Sequence, residues 1–398
     1  MRTLICGAGI AGLALALRLA DLGAEVTVVE RAPGPRAQGY MIDFFGPGYD
    51  AAEAMGVLPR IKELGYAIKE MAYLDESGRR RAGLDFARFA RMAEGRLVSV
   101  MRPDLERALR EGVEGRVDLR FGRTITHIDN RPDGVRATLS DGTVFDAELL
   151  VGADGIHSSV RRAVFGPEER FLRYLGFHTA AFAFTDPEIH REVRDRFVLT
   201  DTTEREMGLY GLRDGRTAVF TVHRAADPAL PADPRQALRT EYAPLGWLAP
   251  RVLAHCPDPS QVYYDQVAQI EMPEWSRDRV VLLGDACQAV SLLAGQGASL
   301  AVAAAYVLAH ELAAGGTVAD ALARYQDRWH REATEKQQLA RQGAEWFLPA
   351  SRTRLRLRRL ALNLARLPGL ERHFAAGLVG KPSTAIQHLT SSPEPLGR

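Results

Sequence analysis

The sequence contains little cysteine, little lysine and almost no net charge. Its three cysteines, Cys6, Cys256 and Cys287, are too few and too far apart for a disulfide framework or a metal site. The formal net charge is +1, so no overall basic or acidic character indicates a nucleic-acid partner. Only four of the 51 basic residues are lysines, which we attribute to a coding bias. We therefore expect neither a metal ion nor nucleic acid.

Long hydrophobic runs are missing as well. The most apolar predicted helix, Ala298 to Leu312, is too short to span a bilayer and ends in the polar residues His310 and Glu311. The first predicted strand begins almost at Met1, so we expect no signal peptide. These features favour a cytoplasmic, soluble protein, and 398 residues suffice for two domains.

The first twelve residues contain the most informative motif. The apolar run Leu4 to Cys6 predicts a buried strand, and Leu13 to Leu22 predicts a helix. Between them Gly7, Gly9 and Gly12 have the G-x-G-x-x-G spacing of a dinucleotide-binding turn. These glycines permit a tight turn, a close approach to a pyrophosphate and close packing of the helix on the strand. The N–H groups at the helix start then favour phosphate.

Glu30 supplies the acidic residue that this motif requires. It follows the second predicted strand, Ala24 to Val29, and stands 18 residues after Gly12. A carboxylate there accepts hydrogen bonds from a ribose and repels a 2′-phosphate. The motif therefore favours FAD or NAD over NADP at this site; a chance glycine turn is the competing interpretation.

The remaining chain predicts two sheets of different kinds. Residues 31–50 are rich in glycine and proline and predict a loop, residues 51–64 a helix, and residues 66–100 hairpin strands. Arg102 and Pro103 open a helix, and residues 117–139 predict an antiparallel meander. Residues 170–270 alternate as the strands of an antiparallel sheet, with a helix at 234–242. A strand at 280–283 returns the chain to the first domain, and helices run from Val318 to about Ala376.

Two further strand-and-turn motifs make a family resemblance specific. Residues 152–161 read GADGIHSSVR, and Gly284-Asp285-Ala286 follows the strand at 280–283. Gly295-Gln296-Gly297 then precedes the helix from Ala298. In this order and spacing, residues 1 to about 315 resemble the class A flavoprotein monooxygenases of the para-hydroxybenzoate hydroxylase-like family. The resemblance lies with the branch of aromatic-polyketide hydroxylases and tetracycline-inactivating monooxygenases.

The resemblance implies an α/β fold with a discontinuous, Rossmann-like FAD-binding domain of the GR2 type, an antiparallel-sheet substrate domain and C-terminal helices. The FAD-binding domain would comprise residues 1–72, 98–169 and 271–330. The substrate domain would take a hairpin at 73–97 and residues 170–270, and residues 331–398 would form a C-terminal helical region. A monomer or homodimer is expected.

The resemblance also implies a reaction and a set of cofactor-binding residues. FAD, reduced by NADPH or NADH, would react with O2 to a C4a-hydroperoxide that hydroxylates an aromatic or polyketide-like small molecule. Asp285 would hold ribityl hydroxyls, Arg102 would reach the cofactor from its helix, and Asp154 would serve FAD and the transient nicotinamide. The full expected set is Gly7, Gly9, Ile10, Ala11, Gly12, Glu30, Arg31, Gln38, Arg102, Asp154, Gly155, Gly284, Asp285, Gly295, Gln296, Gly297 and Ala298.

The third motif departs from the family pattern, which usually reads G-D-A-A-H followed by a proline. Cys287 and Gln288 replace the Ala-His pair, and Leu292 and Leu293 stand where the proline is expected. The missing imidazole removes a group that titrates near neutrality. The lining of the flavin pocket, and with it the substrate class, therefore stays open.

Six side chains are candidates for the substrate pocket. Each has a structural alternative: a histidine on a strand is more often a hydrogen-bonded structural residue than a catalytic one. Likewise, an aspartate in a loop after Gly39 is as often a loop cap as a substrate contact. The candidates are Tyr210, His178, His223, Phe220, Met207 and Asp43.

Two questions stay open in the sequence. Residues 351–372 mix arginine with leucine, a pattern that can bind anionic membranes; we favour packing across the two domains with the arginines facing solvent. A flavin-dependent reductase or dehydrogenase of the same fold, or a non-catalytic flavoprotein, would keep the three motifs. Against these alternatives, neither the reductase signature nor the halogenase motif W-x-W-x-I-P occurs in the sequence.

Overall fold

The structure, a computed structural model, describes residues 1–36, 39–86, 95–291, 295–364 and 386–389, without the side chains of residues 344, 345 and 387. In chain order the N-terminal elements are β1 (Arg2–Cys6), α1 (Ile10–Asp21), β2 (Glu25–Glu30), β3 (Met41–Phe45), α2 (Pro47–Ala54), α3 (Leu58–Glu63), β4 (Glu70–Leu74), β5 (Arg80–Asp85), β6 (Leu97–Met101), α4 (Arg102–Val113), β7 (Asp118–Phe121), β8 (Ile125–Arg131), β9 (Gly134–Leu139), β10 (Val144–Ala147), β11 (Leu149–Gly152) and α5 (Ser159–Val164). The C-terminal elements are β12 (Leu172–Thr185), α6 (Pro187–Val193), β13 (Arg196–Thr200), β14 (Arg205–Gly211), β15 (Arg216–Arg224), α7 (Pro234–Tyr242), α8 (Ala249–Ala254), β16 (Tyr263–Ile270), β17 (Ser276–Arg277), β18 (Val280–Leu282), α9 (Asp285–Gln288), α10 (Gly297–Ala313), α11 (Val318–Phe347) and α12 (Arg352–Leu364).

A six-stranded sheet, the parallel sheet, has the order β17-β18-β11-β1-β2-β7 and is parallel except at β17. Its central strands β1, β11 and β18 are buried almost throughout, as expected for strands covered on both faces. Helices α1 and α10 pack on this sheet within one large apolar core. The predicted return of the chain at residues 280–283 is confirmed by the pairing of β18 with β11.

Two of the three segments predicted for the meander belong to it, and a third strand joins them. Strands β8, β9 and β10 form a separate three-stranded antiparallel sheet. The prediction that residues 117–121 belong to the meander is wrong, because β7 pairs in parallel with β2 at the edge of the parallel sheet. A four-residue strand with one exposed and three half-buried positions gives no alternation from which to choose a partner.

A seven-stranded sheet, the large sheet, has the order β16-β12-β15-β14-β13-β4-β5. The predicted antiparallel sheet is confirmed, with one parallel pairing where β13 meets β4 of the N-terminal hairpin. The third strand expected in that hairpin region, β6, pairs instead with β3 in a two-stranded ribbon. Strand β3 lies inside the predicted loop 31–50, because the turn-forming glycines flank the β-prone run Met41–Phe45 rather than interrupt it.

The helices need two corrections. The predicted helix at 51–64 is two helices, α2 and α3, because Gly56 between them has φ of +71°. The basic helix α12 packs through Leu362 on Tyr73 and Ala82 of the large sheet, and its packing across both domains stays a prediction. Not all of its arginines face solvent. Arg358 is 1% exposed and pairs with Asp201 and Glu206 of the large sheet. The part of the helical prediction from 365 to 376 lies outside the described residues, and no described helix is long and apolar enough to cross a membrane.

Candidate active site

The glycine turn after β1 borders a long cavity at one edge of the parallel sheet, and part of this cavity is also lined by β16 of the large sheet. Gly7 has φ of +110°, and a Cβ there would overlap the carbonyl group of Ala153. A Cβ at Gly12 would overlap the carbonyl oxygen of Gly7, whereas one at Gly9 would meet nothing nearer than the Arg102 guanidinium at 3.9 Å. Gly7 and Gly12 are therefore needed by the packing of the chain, and Gly9 keeps the cavity open.

Helix α1 begins at this cavity without a side-chain cap. Gly9 precedes its first turn, and Ile10 and Ala11 line the cavity. The first N–H groups of a helix have no partner within the helix, so an anion can accept hydrogen bonds from them here.

The cavity has two halves that meet at Gly9, Arg102, Ala153 and Gly155. The Glu30 half is lined by Gly7, Glu30, Arg31, Arg36, Arg123 and Asp154 among others, and the Asp285 half by Tyr40, Tyr263, Asp265, Asp285, Gly297 and Ala298 among others. They hold about 810 and 1080 Å³ of space, counting the open solvent at their mouths. The cavity fits a dinucleotide that extends from Glu30 to Asp285.

The Glu30 carboxylate is fixed at the end of β2 by two backbone groups. It accepts hydrogen bonds from the N–H groups of Ala8 at 3.0 Å and Ala32 at 2.9 Å. Arg31 lies beside it in the cavity lining, and Gln38, which we expected nearby, lies outside the described residues.

The second motif has a structural role that the sequence analysis missed. The Asp154 carboxylate accepts hydrogen bonds from Ser158, Ser159 and Val160, so it orders its own turn as well as lining the cavity. Arg161, the last residue of the motif, is fully buried. Its guanidinium donates to the carbonyl groups of Ala286 at 2.8 Å and Ile156 at 2.6 Å and to the Glu168 carboxylate at 2.8 Å. Arg161 thereby joins the second motif to the third.

Arg102 stands where the two halves meet. Its guanidinium pairs at 3.0 Å with the buried carboxylate of Glu106, one helical turn later in α4. Burial raises the pKa of Glu106, and Arg102 acts in the opposite direction. The i, i+4 spacing was visible in the sequence, but only the packing of α4 shows that Glu106 fixes Arg102.

Asp285 opens the third motif at the start of α9. Its side chain is exposed and lines the Asp285 half of the cavity. Burial of the carboxyl by surrounding protein atoms raises its pKa, and Arg102 lowers it. Gly295, Gly297 and Ala298 line the same half at the start of α10, and Gln296 is the cap residue of that helix without a side-chain cap bond. Gly284 has φ of +64° and packs against Ala11.

The two described departures in the third motif point away from solvent. Cys287 is a buried free thiol whose pKa is raised well above its usual value by burial and by Asp285. Gln288 is 3% exposed, and neither polar atom of its amide has a hydrogen-bond partner in the part of the chain that the structure describes. Leu292 and Leu293 lie outside the described residues.

The large sheet presents two faces, and the substrate candidates divide between them. Directly paired residues share a face, and successive residues along a strand point to opposite faces. Phe220 lies on the inner face, 5.6 Å between ring centres from Tyr40 of the cavity lining. Met207 lies on the outer face in a separate apolar core with Tyr242 of α7.

His178 and His223 also lie on the outer face, directly paired across β12 and β15. His178 bonds to the Tyr264 hydroxyl at 3.2 Å and His223 to the Tyr242 hydroxyl at 3.1 Å. Burial lowers the pKa of His223 to about 4, with smaller contributions from His178 and Arg205. Strand parity turns these two histidines and Met207 away from the cavity, which favours the structural alternative for the histidines over contact with substrate.

Tyr210 and Asp43 lie on the cavity side of the large sheet but line neither half of the cavity. The Tyr210 hydroxyl accepts a hydrogen bond from the N–H of Met41, which ties β14 to the ribbon of β3 and β6. The Asp43 carboxylate accepts one from the Ser99 hydroxyl at 2.6 Å, and burial raises its pKa to about 6. Both side chains brace the ribbon, and their contact with substrate stays a prediction.

Comparison with known proteins agrees with this architecture. A family model described as FAD binding domain matches residues 1–340. An uncharacterized protein of Mycobacterium tuberculosis is 35% identical over 329 residues, which cover 79% of this chain and 86% of that protein. A flavin-dependent monooxygenase of Legionella longbeachae is 28% identical over 333 residues, covering 82% and 84%. The crystal structure of the tetracycline destructase Tet(51) superposes with a TM-score of 0.80 at 24% identity, covering 96% of this chain and 98% of the other.

Proposed function

This chain belongs to the FAD-binding family of flavoprotein monooxygenases, and on that basis we propose that it hydroxylates an aromatic or polyketide-like small molecule, using NADPH or NADH and O2. The observation that carries the proposal is the continuous cavity, which runs from Glu30 past Arg102 to an aromatic chamber at Asp285. FAD, when bound, supplies the redox chemistry: it takes electrons from the nicotinamide and activates oxygen.

The cavity lining supports one orientation of FAD. Glu30 and Arg31 would face the adenosine, and Gly9, Ile10, Ala11 and Arg102 would meet the pyrophosphate. Asp285 would hold the ribityl chain, and the first N–H groups of α10 would lie at the edge of the flavin ring. The positive end of that helix favours negative charge on the ring edge.

The Asp285 half of the cavity favours a flat, largely apolar substrate. Tyr40 and Tyr263 line it, with 6.4 Å between their ring centres, and Val267 and Val290 add apolar surface. Aromatic walls bind ring systems by stacking and by edge contacts, and they exclude water from the reacting centre. That the structurally similar Tet(51) is named a tetracycline destructase agrees with a polycyclic substrate.

We also propose that cofactor and substrate divide the chain as its sheets do. Residues 1–72, 98–169 and 271–330 would hold FAD, and residues 73–97 and 170–270 would supply the inner face that covers the substrate. Residues 331–398 would brace the two. The ion pairs of Arg358 in α12 with the large sheet support this last role.

A direct assay tests the function. FAD-loaded protein is incubated in air with NADH or NADPH and with each compound of a panel of phenols, anthraquinones and tetracyclines. The products are analysed by mass spectrometry. We expect at least one compound to stimulate nicotinamide oxidation and to gain one oxygen atom. Oxidation of the nicotinamide with reduction of the compound, or release of peroxide alone with every compound, would instead favour the reductase alternative.

A further inference from the structure

Four side chains form a continuous polar path from the Asp285 half of the cavity to the protein surface. Tyr263 lines the cavity, and its hydroxyl donates to Asp265 Oδ2 at 3.4 Å. Asp265 Oδ1 lies 3.3 Å from His157 Nε2, and His157 Nδ1 lies 3.0 Å from Glu168 Oε1. The four side chains come from separate parts of the sequence: β16, the second motif and the turn before β12.

His157 is a cation by its geometry. Both of its ring nitrogens face carboxylate oxygens. An ionised carboxylate can accept hydrogen bonds but cannot donate them, so both ring nitrogens carry hydrogen. Asp265 and then Glu168 raise the pKa of His157 to about 9, against burial. The other charged groups at this cluster are Arg161, which pairs with Glu168 at 2.8 Å, and Asp154, which lies near Arg161. His157 lines the Glu30 half of the cavity and its side chain is 34% exposed, so it exchanges protons with solvent through the mouth of that half.

Tyr263 is a protonated donor at the inner end of the path. Burial, Tyr40 and Asp265 raise the pKa of its phenol well above the usual value, while Arg102 lowers it and Asp285 raises it further. Asp265 is held in place by the N–H of Gln266 at 2.8 Å. The 3.3 and 3.4 Å steps are long for hydrogen bonds, and catalytic hydrogen bonds commonly shorten when substrate binds.

We propose that Tyr263, Asp265 and His157 deliver a solvent proton to the substrate chamber once in each turnover. The proposal rests on the proposed function, whose balance requires this proton: substrate, NAD(P)H, O2 and one H⁺ give hydroxylated substrate, NAD(P)⁺ and water. The O–O bond breaks; one oxygen forms the new bond to substrate, and the other leaves as water.

The proton moves along the path in four transfers. Tyr263 O–H protonates the oxygen that leaves as water, and Asp265 Oδ2 returns a proton to the phenolate. Asp265 Oδ1 takes a proton from His157 Nε2, and the imidazole regains it from solvent. Tyr263 is the catalytic residue of this path, and Asp265 and His157 act through it.

A tyrosine pair on β16 provides a matched test. Tyr263→Phe removes the hydroxyl in the cavity, and Tyr264→Phe removes the neighbouring hydroxyl on the outer face, where it bonds to His178. We expect Tyr263→Phe to bind FAD as the wild type does and to be reduced by NAD(P)H at the same rate. It should lose about 10²-fold in product formation, the lower end of general-acid effects, and release peroxide instead. Tyr264→Phe should form product at the wild-type rate and should release no additional peroxide.

A second readout needs no turnover. In ¹⁵N-histidine NMR of the full-length protein without substrate, His157 should stay doubly protonated above pH 8, and Asp265→Asn should lower its midpoint by at least one pH unit. Product formation by Tyr263→Phe within twofold of Tyr264→Phe, or a rise in KM without a fall in kcat, would overturn the path while leaving the function intact. A wild-type enzyme that oxygenates no compound of the panel would overturn the proposed function, and the path with it.

Discussion

Replacing Arg161 with methionine should remove the contacts that join the second motif to the third and thereby destabilise the protein. The guanidinium is fully buried and satisfies the carbonyl oxygens of Ile156 and Ala286 and the carboxylate of Glu168. Removing one partner of a buried ion pair costs about 3–5 kcal/mol, and an unsatisfied buried carbonyl adds to this by about 1–3 kcal/mol. Because Glu168 keeps a second partner in His157, we expect a total near 3–5 kcal/mol.

The measurement is urea unfolding followed by tryptophan fluorescence, since Trp275 and Trp329 are buried in the core of the parallel sheet. Arg162→Met, at the exposed neighbouring position, is the matched control and should change the unfolding free energy by less than about 0.5 kcal/mol. Arg161→Lys should lie between the two, because a single ammonium group cannot reach three acceptors. An Arg161→Met protein within about 1 kcal/mol of Arg162→Met would refute the reasoning, because substitutions at ordinary surface positions already differ by that much.

The same kind of contact supports three more predictions. Gly9→Ala should leave the unfolding midpoint unchanged, because the Gly9 φ of −81° suits alanine and the added Cβ would meet no close atom. The same variant should bind FAD at least about tenfold more weakly in a flavin-fluorescence titration. Gly12→Ala, by contrast, should lower the unfolding midpoint. His223 has a pKa of about 4 in the native state and 6.5 in the unfolded chain, so the unfolded chain takes up the proton first as the pH falls. Its contribution to the free energy of unfolding should be complete above pH 6.5 and should fall by about 3 kcal/mol toward pH 4. In urea unfolding, His223→Gln should show a flatter pH profile. Arg358→Met should lose about 3–5 kcal/mol because Glu206 stays buried without its partner and Asp201 keeps only Arg359, whereas the exposed Arg356→Met should not. Equal unfolding midpoints for the two variants would contradict a stabilising role of the Arg358 ion pairs.

The sequence predicts those parts of the site that depend on neighbours along the chain. Gly7, Gly9 and Gly12 lie between a strand and a helix, so their spacing alone fixes the turn. Glu30 ends one buried strand of the parallel sheet and Asp285 closely follows another, and the carboxyl ends of parallel strands meet at one edge. These residues were therefore predictable without knowing the rest of the fold.

The chamber beyond Asp285 was not predictable in the same way. Alternation along β12, β15 and β16 divides their side chains into two sets, but it does not say which set faces the cavity. His178, His223 and Met207 drew attention as polar or soft side chains, and they lie on the outer face. Tyr263 and Asp265 belong to the inner set, and only the packing of the large sheet against the parallel sheet identifies them.

The strand order of the parallel sheet has a consequence for synthesis on the ribosome. Strand β1 pairs with β11, about 145 residues later, and β11 pairs with β18, about 130 residues later still. At about 5–20 residues per second, β1 waits several seconds or more for its second neighbour, and β11 waits as long for its own. Such distant pairings slow folding and leave apolar strand edges open meanwhile. Because Gly9 and Asp285 border one cavity, its cofactor can bind only after most of the chain has emerged, which makes FAD a late stabiliser of the nascent protein.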